Sequence, residues 1–343
     1  MSRPNPLDDR TVISSIAIDP RNPSRLLAAE NSGLYESLDG GESWVRNGLP
    51  ITSEDPAKVV LAPSNPDIVY VALDRSSDSR VAVQRSNDGG QTWTQGGLGL
   101  PPSTRFVDDL EVDPVDPEVV YMVSRGKLYR SVDGAASWNQ LAEDVLQDVG
   151  SLAIRPDDPQ ILFAGSDSGR EDVKGVFRSR DGGSTWLAVN RGLVDLEVFD
   201  LVIDQQNPAT VYAATANGVS VSADEGETWS PAGRGPEGSF SLKLAVHPSE
   251  PGIVYAGNSL GQVYRLSQQT SWLFGAGEFQ QNPARFDGLA FANFSLRGRE
   301  SQFARAGSGG DGSYPRCAAR RTNATRSGVR EANRRLATRS LGG

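Results

Sequence analysis

Across residues 12–265 the chain alternates short apolar runs with polar punctuation, and the same order of runs returns six times. Each round opens with two apolar runs joined by a proline-marked turn: IAIDPRNPSRLLAAE, VVLAPSNPDIVYVAL, LEVDPVDPEVVYMVS, LAIRPDDPQILFAGS, LVIDQQNPATVYAAT and LAVHPSEPGIVYAGN. Proline fixes φ and cannot donate to a ladder, so it marks the connection, and the β-branched runs beside it mark strands. In the third run, as in GLYES and GVFRS, apolar and polar residues trade places at period two, which predicts a strand packed on one face.

A polar turn and a tryptophan close each round. SLDGGESW ends at Trp44, SNDGGQTW at Trp93, SVDGAASW at Trp138, SRDGGSTW at Trp186 and SADEGETW at Trp229, with a worn copy, RLSQQTSW, at Trp272. The tryptophans are spaced by 49, 45, 48, 43 and 43 residues, a loose period that loop insertions can stretch. Each unit therefore reads strand A, proline turn, strand B, loop, strand C, Asp-Gly turn, strand D. Units of four antiparallel strands at this period predict an all-β protein, a β-propeller of six or seven four-stranded blades. A lone blade cannot bury both of its faces, so stacking is what stabilises each repeat.

The closing turn resembles the Asp-box, or bacterial neuraminidase repeat, S-x-D-x-G-x-T-W. Five copies fit closely; the sixth has Arg265, Ser267 and Gln269 where Ser, Asp and Gly belong. Asp39, Asp88, Asp133, Asp181 and Asp224 are placed to accept bonds from turn N–H groups, with glycine supplying positive φ and the Trp anchoring the hairpin. They read as structural turn residues. The resemblance covers residues 12–272 and implies a scaffold shared by sialidases, xyloglucan-cleaving glycosidases, the sortilin luminal domain and photosystem II assembly factors. Function then has to come from a site on that scaffold.

Composition narrows the chemistry. One cysteine, Cys317, and one histidine, His247, leave no disulfide framework and no Cys- or His-built metal cage, so neither metal nor cofactor is expected. His247 stands just before a turn proline, where other repeats carry Asp19, Ala62, Asp113, Arg155 and Asp204, and reads as a turn residue. No segment has the apolar length of a membrane span, and the N-terminal residues lack a signal-peptide core, so a cytoplasmic monomer is expected; a missing leader would place it outside the cytoplasm. Residues 1–265 carry 22 basic against 38 acidic residues, which argues against nucleic acid as a partner of the propeller. Residues 266–343 carry 12 arginines against five acids and show no apolar period. The expected division is a propeller over 1–277 and a basic, low-complexity tail over 278–343. The tail reads as disordered or as out-of-frame translation, with a basic arm for nucleic acid or an acidic partner as the other reading.

If the strands alternate direction, proline turns and Asp-Gly turns share one face. The B–C loops and the links between blades share the other, and binding residues concentrate on such loops. Candidate ligand-binding residues there are Glu30, Asp74, Arg75, Asp78, Arg125, Asp167, Arg170, Glu171 and Asp172, with Asn31, Asn217, Asn258, Arg105, Asp108, Asp195 and Glu197 nearby in register. The longest B–C loops fall in repeats two and four. A binding or assembly scaffold for a protein or glycan is the expected function. The alternative is a glycosidase, for which Asp74, Asp78, Asp167, Glu171 and Asp172 are candidate paired carboxylates and Glu30 lies near the place the xyloglucan-cleaving family uses. The Arg-Ile-Pro motif of sialidases is absent from the sequence.

Overall fold

A computed structural model of the chain describes residues 13–50, 54–75, 82–101, 104, 106–142, 145–146, 148–166, 174–234, 243–257, 263–267, 277–278 and 280–281. Among the described residues there is no helix, and the strands assemble into six blades of a β-propeller. Blade 1 comprises β1 (Ile13–Asp19), β2 (Asn22–Glu30), β3 (Gly33–Ser37) and β4 (Val45–Arg46). Blade 2 comprises β5 (Glu54–Ala62), β6 (Asn65–Arg75), β7 (Ala82–Ser86) and β8 (Thr94–Gly96). Blade 3 comprises β9 (Asp109–Val112), β10 (Val120–Ser124), β11 (Lys127–Ser131) and β12 (Asn139–Leu141). Blade 4 comprises β13 (Val149–Ile154), β14 (Leu162–Ser166), β15 (Gly175–Ser179) and β16 (Leu187–Ala188). Blade 5 comprises β17 (Val198–Ile203), β18 (Val211–Thr215), β19 (Gly218–Ser222) and β20 (Ser230–Arg234). Blade 6 has β21 (Lys243–Val246), β22 (Ile253–Gly257) and β23 (Val263–Ser267), followed by β24 (Gly277–Glu278) and β25 (Gln280–Gln281).

Each blade is an antiparallel meander in chain order, and the first strands of successive blades are neighbours. The second strands are buried on both faces, which is why VYMVS, LFAGS, VYAAT and IVYAG read as unbroken apolar runs. Five apolar clusters each span two successive blades. Leu27, Leu34, Val59 and Val71 meet between blades 1 and 2, and Tyr70, Val83, Leu110 and Met122 between blades 2 and 3. Tyr121, Leu128, Leu152 and Phe177 join blades 3 and 4; Phe163, Val176, Val198 and Leu201 join 4 and 5; Tyr212, Val221, Leu244 and Leu266 join 5 and 6. The core is thus a series of seams, as expected when one blade's faces can be covered only by the next.

Two details differ from the sequence reading. The fourth strands start after the tryptophan and are two or three residues long in blades 1–4, because the Trp belongs to the turn. In blade 6 β23 pairs with β25, through Tyr264 with Gln281 and Arg265 with Gln280, whereas the residues directly after Trp272 lie outside the described residues. The segment β24 adds in parallel to β20 as a fifth strand of the blade 5 sheet. Trp272 and residues 282–343 lie outside the described residues, as does most of the expected tail.

Candidate functional site

The proline turns and aspartate turns do share a face, and in blades 1–5 one backbone bond per blade ties them together. Gly40 N–H donates to Ser24 O, Gly89 to Asp67 O, Gly134 to Glu118 O, Gly182 to Gln160 O and Glu225 to Ala209 O, at 2.8–3.0 Å. The acceptor is in each case the residue after the second proline-turn landmark.

Within the turns the aspartate is the hub. Asp181 Oδ1 accepts Ser179 Oγ–H at 2.8 Å and Thr185 N–H at 2.8 Å, and Oδ2 accepts Thr185 Oγ1–H at 2.6 Å; Ser179 Oγ in turn accepts Gly183 N–H at 2.9 Å. Asp39, Asp88, Asp133 and Asp224 repeat the pattern. The hydroxyl and N–H of residue 43, 92 or 185 hold the Asp39, Asp88 and Asp181 carboxyls down to about 2. For Asp133 and Asp224 burial pulls upward and the same donors win, leaving both below the usual carboxylate range. Four indoles, Trp44, Trp93, Trp138 and Trp186, donate Nε1–H to the carbonyl three residues back. Trp229 instead reaches Val189 O in blade 4 at 2.7 Å, so its position is shared but its partner is not.

On the opposite, loop face, Glu30, Asp74, Asp108 and Asp195 accept hydrogen bonds from the loops around them. Glu30 Oε2 accepts Ser32 N–H at 2.7 Å and the Ser32 hydroxyl, which also bonds Tyr35 Oη. Asp74 is buried and its Oδ1 accepts Val107 N–H at 2.9 Å across the seam to blade 3. Asp108 Oδ2 accepts Arg125 N–H at 2.8 Å, fixing Arg125 at φ 52° with its side chain exposed. Asp195 accepts Glu197 N–H at 2.8 Å and Asn217 Nδ2–H at 2.6 Å, and Glu197 pairs with Lys174 at 3.6 Å. Arg75 closes β6; Asp78, Asp167, Arg170, Glu171 and Asp172 lie outside the described residues, with Arg105 and Asn258.

The structure adds a set of residues that the sequence reading missed. Five residues before the turn proline, or before Gln205 in blade 5, the inner strands carry Ser15, Lys58, Asp109, Ser151, Asp200 and Lys243. Because strand A runs from the loop face towards the proline turn, this inner belt lies at the loop-face ends of the inner strands. Val59 N–H donates to Ser15 Oγ at 3.2 Å, Lys58 Nζ to Asp109 Oδ1 at 3.3 Å, and Leu152 N–H to Asp109 Oδ2 at 2.9 Å. Asp200 accepts Leu244 N–H at 2.7 Å and Lys243 Nζ at 3.2 Å. Burial pushes the Asp200 carboxyl up against the pull of Lys243 and of Leu244 N–H; Asp200 and Asp109 hold the Lys243 ammonium up despite burial. Ser151 Oγ is buried with no hydrogen-bond partner. The signal was available: each belt residue is polar, at one fixed offset, inside an apolar run.

The turn face also carries seam fasteners. Arg25 pairs with Asp19 and Glu36 and donates to Pro66 O and Gly89 O of blade 2. Arg85 of blade 2 chelates Glu118 of blade 3. Arg178 of blade 4 donates to Glu225 O and pairs with Glu227 of blade 5, and Glu225 takes Arg155 and Arg180.

No family model matches the chain. A xyloglucanase of Paenibacillus sp is 28% identical over 183 residues, which is 44% of this chain and 17% of that protein. A xyloglucanase of Acetivibrio thermocellus is 27% identical over 160 residues, 37% of this chain and 19% of that protein. The matched stretch thus spans less than a fifth of either relative. Among solved structures, an ancestral GH74 enzyme superposes with a TM-score of 0.63 at 17% identity over 82% of this chain and 43% of its own. YCF48 bound to D1 peptide superposes at 0.56 and 18% identity over 79% and 80%, and YCF48 from Cyanidioschyzon merolae at 0.53 and 16% over 81% and 87%. At these identities the structural likeness establishes the propeller fold alone.

Proposed function

We propose that this chain is a binding or assembly scaffold that presents the loop face of its propeller to a protein ligand. The observation that carries this reading is the use of the loop-face carboxylates. Glu30, Asp74, Asp108 and Asp195 accept hydrogen bonds that fix the loops, an arrangement suited to rigid recognition. Proton transfer to a glycosidic oxygen needs a carboxyl directed at substrate. Two YCF48 propellers superpose over 79% and 81% of this chain. One of those propellers was solved with a D1 peptide, which makes peptides the first ligand class to test.

A glycosidase is the second reading, favoured by one observation. Asp200 is the described carboxyl that burial pushes upward, the property a general acid requires, and the sequence relatives cleave xyloglucan by name. Incubating the purified chain with xyloglucan while assaying reducing ends, in parallel with a peptide-binding screen, separates the two. The scaffold reading expects saturable binding that Arg125→Ala weakens at an unchanged melting temperature, with no reducing ends released. Turnover that Asp200→Asn abolishes in a folded protein overturns it.

A further inference from the structure

The proline turns of blades 1, 3, 5 and 6 are pinned by a side chain at one register position. In blade 1 Asp19 Oδ1 accepts the N–H groups of Arg21 and Asn22 at 2.9 and 3.3 Å. In blade 3 Asp113 Oδ1 accepts those of Val115 and Asp116 at 2.8 and 3.0 Å, and in blade 5 Asp204 Oδ1 accepts those of Gln206 and Asn207 at 2.9 and 3.3 Å. Blade 6 has His247 at this place, and its Nδ1 accepts Ser249 N–H at 3.3 Å and Glu250 N–H at 2.9 Å. The protein's one histidine has therefore replaced a carboxylate in a role that needs a lone pair.

The replacement changes the proton chemistry. A carboxylate keeps its acceptor lone pairs down to about pH 4, whereas an imidazole ordinarily takes up its second proton near pH 6.5. The bonds from residues 249 and 250 require a free lone pair on Nδ1, so the single ring proton sits on Nε2, which faces Glu250 Oε1 at 3.7 Å. A second proton would set an Nδ1–H against two N–H donors. The ring must then leave its place and unpin the turn.

That turn is also a seam fastener. Gln206 Nε2–H of blade 5 donates to Pro248 O at 2.9 Å, and Gly252 N–H donates to Asp204 Oδ2 at 3.2 Å. We propose that His247 is a pH-sensitive latch: protonation frees the 247–252 turn and loosens the turn-face side of the seam between blades 5 and 6. Among the described residues, the ionisable groups facing the turn are Glu250 on the turn itself and Asp204 across the seam. The two bonds to Nδ1 exist only while that nitrogen is unprotonated, so the stabilisation they give is present on the basic side of the ring's protonation and is lost on the acid side.

The test uses the full chain with His247→Asp and His247→Asn, two variants that keep an acceptor and do not titrate near neutrality. Hydrogen exchange over residues 247–257 is measured at about pH 7.5 and about pH 5.5, scaled to intrinsic rates, with the single imidazole signal followed by NMR. The wild type should lose protection on the acid side as the imidazole titrates, and its melting temperature should fall about 2–4 °C further than either variant's. An equal acid-side loss in all three proteins overturns the proposal. Should a variant fail to fold, the wild type alone decides: exchange that tracks the imidazole signal supports the latch, and protection that holds through the titration overturns it.

Discussion

At the scale of single residues, the turn aspartates show how a carboxylate can be exposed, acidic and still architectural. Removing Asp181 leaves Ser179 and Thr185 without their common acceptor. Asp181→Ala should therefore cost about 1–2 kcal/mol in a denaturant melt and leave ligand affinity where it was. The depressed pKa values carry a sign. Asp39, Asp88 and Asp181 sit near about 2 in the folded chain and near about 3.9 when unfolded, so their contribution is complete above pH 4 and fades as pH falls from about 4 to about 2. Solvent screening keeps that contribution small at such exposed sites. Acid titration of the melt, compared with a chain in which Asp88 and Asp181 are both Asn, should show a shallower loss in the variant. The turns also test backbone strain: Glu225 takes φ 58° where four sister turns have glycine. Since Glu225→Ala and Glu225→Gly remove the same ion pairs, the glycine variant should be more stable than the alanine variant by about 0.5–1 kcal/mol, read from paired melts.

At the scale of strands and seams, the inner belt separates residues that look alike in sequence. Asp109→Ala strands Lys58 in a buried site and frees Leu152 N–H, and should destabilise by about 3–5 kcal/mol. Ser151 has the same register but no partner, so Ser151→Ala should change the denaturation midpoint little or raise it. Equal losses in the two variants would remove the belt as an explanation of seam stability. Much of this level was legible in the sequence. The period of the proline turns and tryptophans fixed six units, the strand order and the shared face, because each landmark is a local constraint on φ or on hydrogen bonding. Seam chemistry was not legible in the same way, since Lys58 and Asp109 are 51 residues apart and only the stacked register makes them neighbours. The bonds of Glu30 and Asp74 were hidden for a related reason: a carboxylate in a loop gives no sign in the sequence of the N–H donors it meets. In the worn sixth copy Tyr264 pairs with Gln281, a partner to which the tryptophan register does not point.

At the scale of the whole molecule, β25 is the last strand among the described residues. A chain ending at Gln281 keeps the pairings of Tyr264 and Arg265 and should melt cooperatively within a few degrees of the full chain. One ending at residue 276 removes β24 and β25, and with them the described pairing along β23 and the fifth strand on β20. It should melt earlier, and blade 6 should be the first part cut in limited proteolysis. Equal melts for the two truncations would show that these short strands contribute nothing to the fold.

The inner belt also means that the blades are not interchangeable. Lys58 faces the blade after it and finds a carboxylate there, whereas Lys243 finds its carboxylate on the blade before it. A tandem duplication of blade 2 would bring one lysine against another inside a seam, and moving blade 6 away from blade 5 would leave an ammonium buried alone. Blade 1 carries only serine hydroxyls at that level, which ask nothing of a neighbour beyond a backbone N–H or C=O. A second copy of blade 1 beside blade 1 therefore meets no buried charge at this level, whereas a second blade 2 does, and the order of the blades is itself encoded information.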